Sequence, residues 1–187
     1  MNNLRILAIS GSLRAKSSNT AVLQAASILA PSNIKIELYS GLANLPHFNP
    51  DLDCEPMPNE VVSLRRQLKF SDGVIISSPE YAHGVPGSLK NALDWLVSST
   101  EFPGKPVALI NTNPRATIAL SSLTEILVTM TAQIIKPANL TIHLASRGLS
   151  AEEIVADTEL SKSLSKVIAL LEDAIVKTIK FSDNSAD

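Results

Sequence analysis

The stretch Gly73-Val74-Ile75-Ile76-Ser77-Ser78-Pro79-Glu80-Tyr81-Ala82-His83-Gly84-Val85-Pro86-Gly87 reads as a buried strand running into a stiff turn. The apolar run Gly73 to Ser78 suits a strand covered on both faces. The turn carries an acid, an aromatic and an imidazole, an unusual set for a purely structural connection. Ser88-Leu89-Lys90-Asn91-Ala92-Leu93-Asp94-Trp95-Leu96 then continues with helical spacing, so a helix is expected from Pro86 to Val97. Proline is tolerated in a first helical turn, where its missing N–H costs nothing. In an open parallel sheet, loops at the carboxyl ends of strands are where ligands bind.

The same strand-then-helix alternation extends in both directions. Leu4 to Ile9 is apolar except for Arg5, and a helical pattern from Thr20 stops before Pro31. Ile34 to Tyr39 alternates as a strand nearer the sheet edge does. Gly41 to Pro58, with four prolines, is expected to be a long ordered loop, and Asn59 to Phe70 a helix with Val61, Val62, Leu64 and Leu68 on its apolar face. Pro106 to Asn111 is a fourth strand, Ile118 to Ala132 a helix, and Ile134-Ile135 and Leu140 to Leu144 short extended pieces. Glu152 to Lys180 reads as one long amphipathic helix. The pattern predicts an α/β, flavodoxin-like three-layer sandwich: a five-stranded parallel sheet of order 2-1-3-4-5 with helices on both faces. One domain is expected over residues 1–187, with 181–187 a disordered tail.

Composition narrows the function. A net charge of −2 lacks the basic balance expected of a nucleic-acid binder. No apolar run reaches the roughly 20 residues of a membrane span, and the amino terminus lacks a secretory h-region. One cysteine, Cys54, rules out an internal disulfide and fits a reducing compartment, so a cytoplasmic location is expected. Cys54, His47 and His143 have no metal-ligand spacing, and no metal site is expected.

Gly11-Ser12-Leu13-Arg14-Ala15-Lys16-Ser17-Ser18-Asn19-Thr20 joins the first strand to the first helix. A helix N-terminus offers free N–H groups and a positive dipole end, a ready anion site. Hydroxyls of Ser12, Ser17, Ser18 and Thr20, the amide of Asn19 and the guanidinium of Arg14 can add hydrogen bonds to a phosphate. One cap needs one small polar residue; here there are several, plus two cations. The loop has neither the dinucleotide fingerprint nor the P-loop lysine pattern, so a mononucleotide phosphate is expected.

The two loops together resemble the NADPH-dependent FMN reductase family of flavodoxin-like proteins. Gly11-Ser12-Leu13-Arg14-x-x-Ser17-x-Asn19 is similar to that family's phosphate loop. Pro79-Glu80-Tyr81-x-x-Gly84-x-Pro86-Gly87-x-Leu89-Lys90-Asn91-Ala92-Leu93-Asp94-Trp95 is similar to its flavin-ring signature. The likeness runs from about Leu4 to Leu144. It implies an NAD(P)H-dependent oxidoreductase. Ser12, Arg14, Ser17, Ser18, Asn19 and Thr20 would hold the FMN phosphate. Pro79, Glu80, Tyr81, Ala82, His83 and Gly84 would lie along the ring. A third loop, from Asn111 and Thr112 to Ala116, would approach the flavin without the glycine pair many relatives carry there. Hydride would come from NADPH or NADH, and a quinone, flavin, chromate or azo compound would be the small-molecule acceptor. No catalytic side chain is implied, because the flavin carries the chemistry. The resemblance further implies a homodimer or homotetramer through the helix around Trp95.

Several residues have two readings. Glu80 contributes through its backbone or its carboxylate, and His83 is a donor contact or a solvated loop residue. Trp95 is core or subunit contact. Arg115 meets a 2′-phosphate or a surface acid. Two rival functions are a flavodoxin-type electron carrier and a binding or regulatory module on the same fold, but Arg14 and near-neutral charge speak against a carrier. If ring-loop glycines supply its unusual torsions, Gly84→Val loses flavin on purification while Glu80→Gln keeps much of the activity.

Overall fold

Alternating side chains of the first strand set the layering. In β1 (Leu4–Ser10), Ile6 and Ala8 enter one apolar cluster and Leu7 and Ile9 the other, and all four are buried. The computed structural model describes residues 3–144 and 147–184. β3 (Gly73–Ser77) and β4 (Pro106–Asn111) divide in the same way, with Ile75, Ala108 and Ile110 on the first face. Val74, Ile76, Val107 and Leu109 lie on the second. The first face packs against α1 (Ser18–Leu29), α5 (Ala151–Ala156) and α6 (Thr158–Asn184). The second packs against α2 (Asn59–Lys69), α3 (Gly87–Asp94) and α4 (Thr117–Thr129).

With β2 (Ile34–Leu38) and β5 (Gln133–Ile134), the strand order is β2-β1-β3-β4-β5 and the pairings are parallel, as the alternation predicts. β1 and β3 are neighbours whose chains leave toward opposite faces, so the loops after them open onto a switch point.

The fifth position departs from a simple strand. β5 and β6 (Leu140–Thr141) are two short pieces, both parallel to β4, separated by a 3-10 turn at Lys136–Ala138. Pro137 has no N–H to give the ladder. Asn139 fills the gap: its Oδ1 accepts from the Leu109 N–H at 2.9 Å, standing in for a strand carbonyl.

The expected helix Glu152 to Lys180 is two helices. Asp157 breaks it with extended backbone, φ −75° and ψ 112°. Its Oδ1 accepts from the N–H groups of Glu159 and Leu160, both at 3.1 Å, and so caps α6. Ser150 and Glu153 form a capping box at the start of α5. α6 runs to Asn184, into the stretch 181–187 expected as a tail; residues 185–187 lie outside the described residues. On α2, Val61, Leu64 and Leu68 are buried as expected, whereas Val62 is exposed.

Of the two readings of Trp95 the structure supports the core: the residue is fully buried within its own chain. Its Nε1 donates to the Pro46 carbonyl at 2.8 Å, and its ring meets Phe48 edge-on at 5.1 Å between centroids. Asn91, one helical turn earlier, donates from Nδ2 to Pro46 O at 2.9 Å and accepts from Phe48 N–H at 2.7 Å. The two residues hold the Pro-rich loop against α3, which is why that loop is ordered. Arg65 closes the other end, pairing with Asp53 at 2.8 Å and donating to Trp95 O at 2.7 Å. Trp95→Ala is expected to cost ~3–5 kcal/mol in urea unfolding. A core role requires the same loss across protein concentrations, whereas a subunit-contact role would make the loss concentration-dependent.

Candidate functional site

Gly11 brings the first two loops together. Its N–H donates to Ser77 O at 2.8 Å, and a Cβ there would lie 2.5 Å from Ser78 Oγ. Above this contact a cavity of about 970 Å³ opens at the carboxyl ends of β1, β3 and β4. The sequence-predicted residues Ser12, Arg14, Ser17, Ser18, Asn19, Thr20, Pro79, Glu80, Tyr81, Asn111 and Thr112 all line it. Ala82, His83 and Gly84 do not; they form the tip of the ring loop, away from the cavity wall. Gly148 to Glu152 supply a wall that no motif announced.

The first loop gathers free donors and cations at one wall of the cavity. Ser17 is the N-cap of α1, its Oγ accepting from Thr20 N–H at 3.4 Å. Among the described residues, the N–H groups of Ser17, Ser18 and Asn19 find no acceptor. Arg14 and Lys16 bring two cations to the same wall. Phosphate fits this donor set. Some predicted donors have internal duties. Ser18 Oγ donates to Leu144 O at 3.2 Å, and Thr20 Oγ1 shares a 2.8 Å hydrogen bond with Ser10 Oγ. The Oδ1 of Asn19 accepts from Ser77 Oγ at 2.9 Å and from Thr112 Oγ1 at 3.2 Å.

The ring loop owes its shape to residues other than the expected ones. Tyr81 and Gly84 exchange two backbone hydrogen bonds, 3.1 and 2.9 Å, around Ala82 and His83. Those two central residues carry the left-handed conformation, at φ 49° and 58°. That is the pattern of a type I′ turn, which favours Asn-Gly. Gly84 is not left-handed, and a Cβ there would meet only Tyr81 O at 3.6 Å. The torsional reason for expecting Gly84→Val to fail is therefore absent.

Glu80 works through its carboxylate. Oε2 accepts from the Ala119 N–H at 2.9 Å, and Oε1 is 3.0 Å from His83 Nδ1. The residue before α4, Ala116, makes no side-chain cap. Glu80 thus caps the helix that follows the third loop and ties that loop to the ring loop. The Ala119 backbone hydrogen bond, followed by His83, lowers the Glu80 pKa below the usual carboxylate range. His83 itself is exposed, as a solvated loop residue would be. In the third loop, Asn111 is buried, accepts from Asn113 N–H at 3.1 Å and donates to Ala116 O at 3.4 Å. Arg115 lies outside the cavity wall. Cys54 is exposed and donates to Asp51 O. Among the described residues no group of His, Cys, Asp and Glu could hold a metal ion.

The sequence pattern of the NADPH-dependent FMN reductases matches residues 4–146. This chain belongs to that family. It is similar to an NAD(P)H-dependent FMN reductase of Pseudomonas aeruginosa, 38% identical over 111 residues, 58% of this chain and 60% of that protein. It is also similar to a quinone reductase of Escherichia coli, 37% identical over 118 residues and 62% of each chain. The chain thus spans about three fifths of the length of the curated relatives it matches. Among solved structures, it resembles the flavoenzyme NAD(P)H:acceptor oxidoreductase FerB of Paracoccus denitrificans. That match has a TM-score of 0.82 and 28% identity, covering 94% of this chain and 98% of FerB. An archaeal flavodoxin, 13% identical with a TM-score of 0.59, shares the fold.

The lowered Glu80 pKa has a direction. Its tether stabilises the folded protein above the unfolded carboxylate pKa and is lost as pH falls through the lower folded value. The stability difference between wild type and Glu80→Ala is therefore expected to be constant near neutrality and to vanish in acid. Thermal melts across that range check it, and a difference that grows on acidification contradicts the tether.

Proposed function

We propose that this chain is a single-domain, NAD(P)H-dependent FMN oxidoreductase that reduces a small acceptor such as a quinone. The observation that carries it is the joining of the loop before α1, the Pro79–Tyr81 segment and the Asn111–Thr112 segment around one cavity. When bound, FMN supplies the redox chemistry, accepting a hydride from a nicotinamide and delivering electrons onward. Ser12, Arg14, Ser17 and the N-terminus of α1 would hold its phosphate. Pro79, Glu80 and Tyr81 would flank its ring, with the Glu80 carboxylate engaged by α4 and so unavailable as a general acid. Asn111 and Thr112 would close the third side.

A hydride donor and an acceptor must both reach the open face of the ring. Tyr81, 48% exposed at the cavity rim, is placed to pack against either. A quinone is favoured as acceptor by the quinone reductases among the relatives. The homo-oligomer implied by family resemblance belongs to the same proposal, with contacts other than Trp95. So does a cytoplasmic location, supported by the single cysteine; among the described residues no helix is long and apolar enough to cross a membrane.

Freshly purified or FMN-reconstituted protein is expected to show a flavin absorption band that bleaches on anaerobic addition of NADPH or NADH. Absence of a band, even after adding FMN, defeats the proposal; a band that neither nicotinamide bleaches points to an electron carrier. Arg14→Ala is expected to weaken FMN binding roughly tenfold to a hundredfold, by loss of a charge-assisted hydrogen bond.

A further inference from the structure

Asn19 sits where β1, β3 and β4 end. It belongs to the first turn of α1, yet its Oδ1 receives hydroxyls from the last residue of β3, Ser77, and from Thr112, just after β4. All three residues are buried: Ser77 is 0% exposed, Thr112 2% and Asn19 6%. Among the described residues neither hydroxyl has another acceptor, so each needs an oxygen on the amide. An amide turned the other way would face the hydroxyls with donors and leave both O–H groups unsatisfied in the interior, a costly arrangement. The two hydroxyls thus fix which end of the amide faces them. The Nδ2 group, which has no acceptor among the described residues, is left toward the cavity that Asn19 lines.

We propose that Ser77 and Thr112 are positioning residues for the cofactor phosphate, acting through Asn19. Neither touches the phosphate. Together they hold the Asn19 amide with its N–H groups toward the anion, so that a donor is oriented before the ligand arrives. Thr112 then belongs to the phosphate end of the site, not to the ring contacts expected of the third loop. This inference rests on the FMN reading of the cavity.

The test compares FMN with riboflavin, which has the same ring and no phosphate. Dissociation constants are measured for wild type, Ser77→Ala, Thr112→Val, Thr112→Ser and Asn19→Asp. Loss of either hydroxyl is expected to weaken FMN about tenfold, leaving riboflavin within about twofold of wild type. Thr112→Ser keeps the hydroxyl and is expected to keep wild-type FMN affinity. Asn19→Asp accepts both hydroxyls but offers no donor, and is expected to weaken FMN more than either hydroxyl variant does, with riboflavin again spared. Equal weakening of FMN and riboflavin would mean a general packing role and overturn the inference, as would undiminished FMN affinity in both hydroxyl variants. If Thr112→Val does not fold, Ser77→Ala carries the same comparison. Wild-type protein that binds no FMN overturns the FMN reading itself, and this inference with it.

Discussion

Position 11 has no room for a side chain unless its neighbours shift. A Cβ there would approach Ser78 Oγ to 2.5 Å and Leu89 Cδ2 to 3.1 Å, and this closeness lets the Gly11 N–H reach Ser77 O. The contact extends the β1–β3 pairing one residue beyond its last registered pair, Ser10 with Ser77. It brings the start of one loop onto the start of the other. Everything above it depends on that approach: the turn into α1, the position of Pro79, and the floor of the cavity. A methyl group at this position would force the Ser78 and Leu89 side chains to give way at the root shared by the two halves of the site.

Loops are ordinarily the mobile part of an α/β domain. Here the three that line the cavity are cross-linked by side chains. Asn19 joins the first loop to the ends of β3 and β4, and Glu80 joins the second loop to the helix after the third. The outer walls are also tethered, since Ser18 reaches Leu144 O and the Leu144 N–H reaches Thr112 O. The cost of ordering loops is thus met during folding, before a ligand is present, which is what preorganisation means energetically.

Much of this was legible in the residues. Strand and helix spacing recovered the layer architecture and strand order, because doubly covered parallel strands leave long apolar runs that little else imitates. The first two loops that line the cavity were legible because they sit at the ends of those runs. Part of what escaped is long-range side-chain geometry. Glu80 caps a helix 39 residues away, and nothing local marks it as a cap. Asn91 and Trp95 look like a helical signature but face the Pro46–Phe48 loop, a partner that spacing cannot reveal. The left-handed tip fell on Ala82 and His83 although glycine stood beside them, because the backbone bonds of the turn set which residues it takes. The break at Asp157 was within reach, since Asp is a strong N-cap; an unbroken apolar periodicity concealed it.

The parallel sheet has a kinetic counterpart. β1 pairs with β3 from Ile6 to Gly73 onward, and β3 with β4 from Val74 to Val107, so every wall of the cavity requires contacts far apart in sequence. Such contacts are slow to form, because loop closure precedes any reward. The cavity can exist only once those pairings are complete, and a ligand bridging the three loops therefore recognises the finished topology and none of its precursors. By mass action, at a concentration one hundred times its dissociation constant, such a ligand deepens the native state by about 2.7 kcal/mol. Cofactor supply would then set how long a newly made chain survives proteolysis, as well as how fast it turns over.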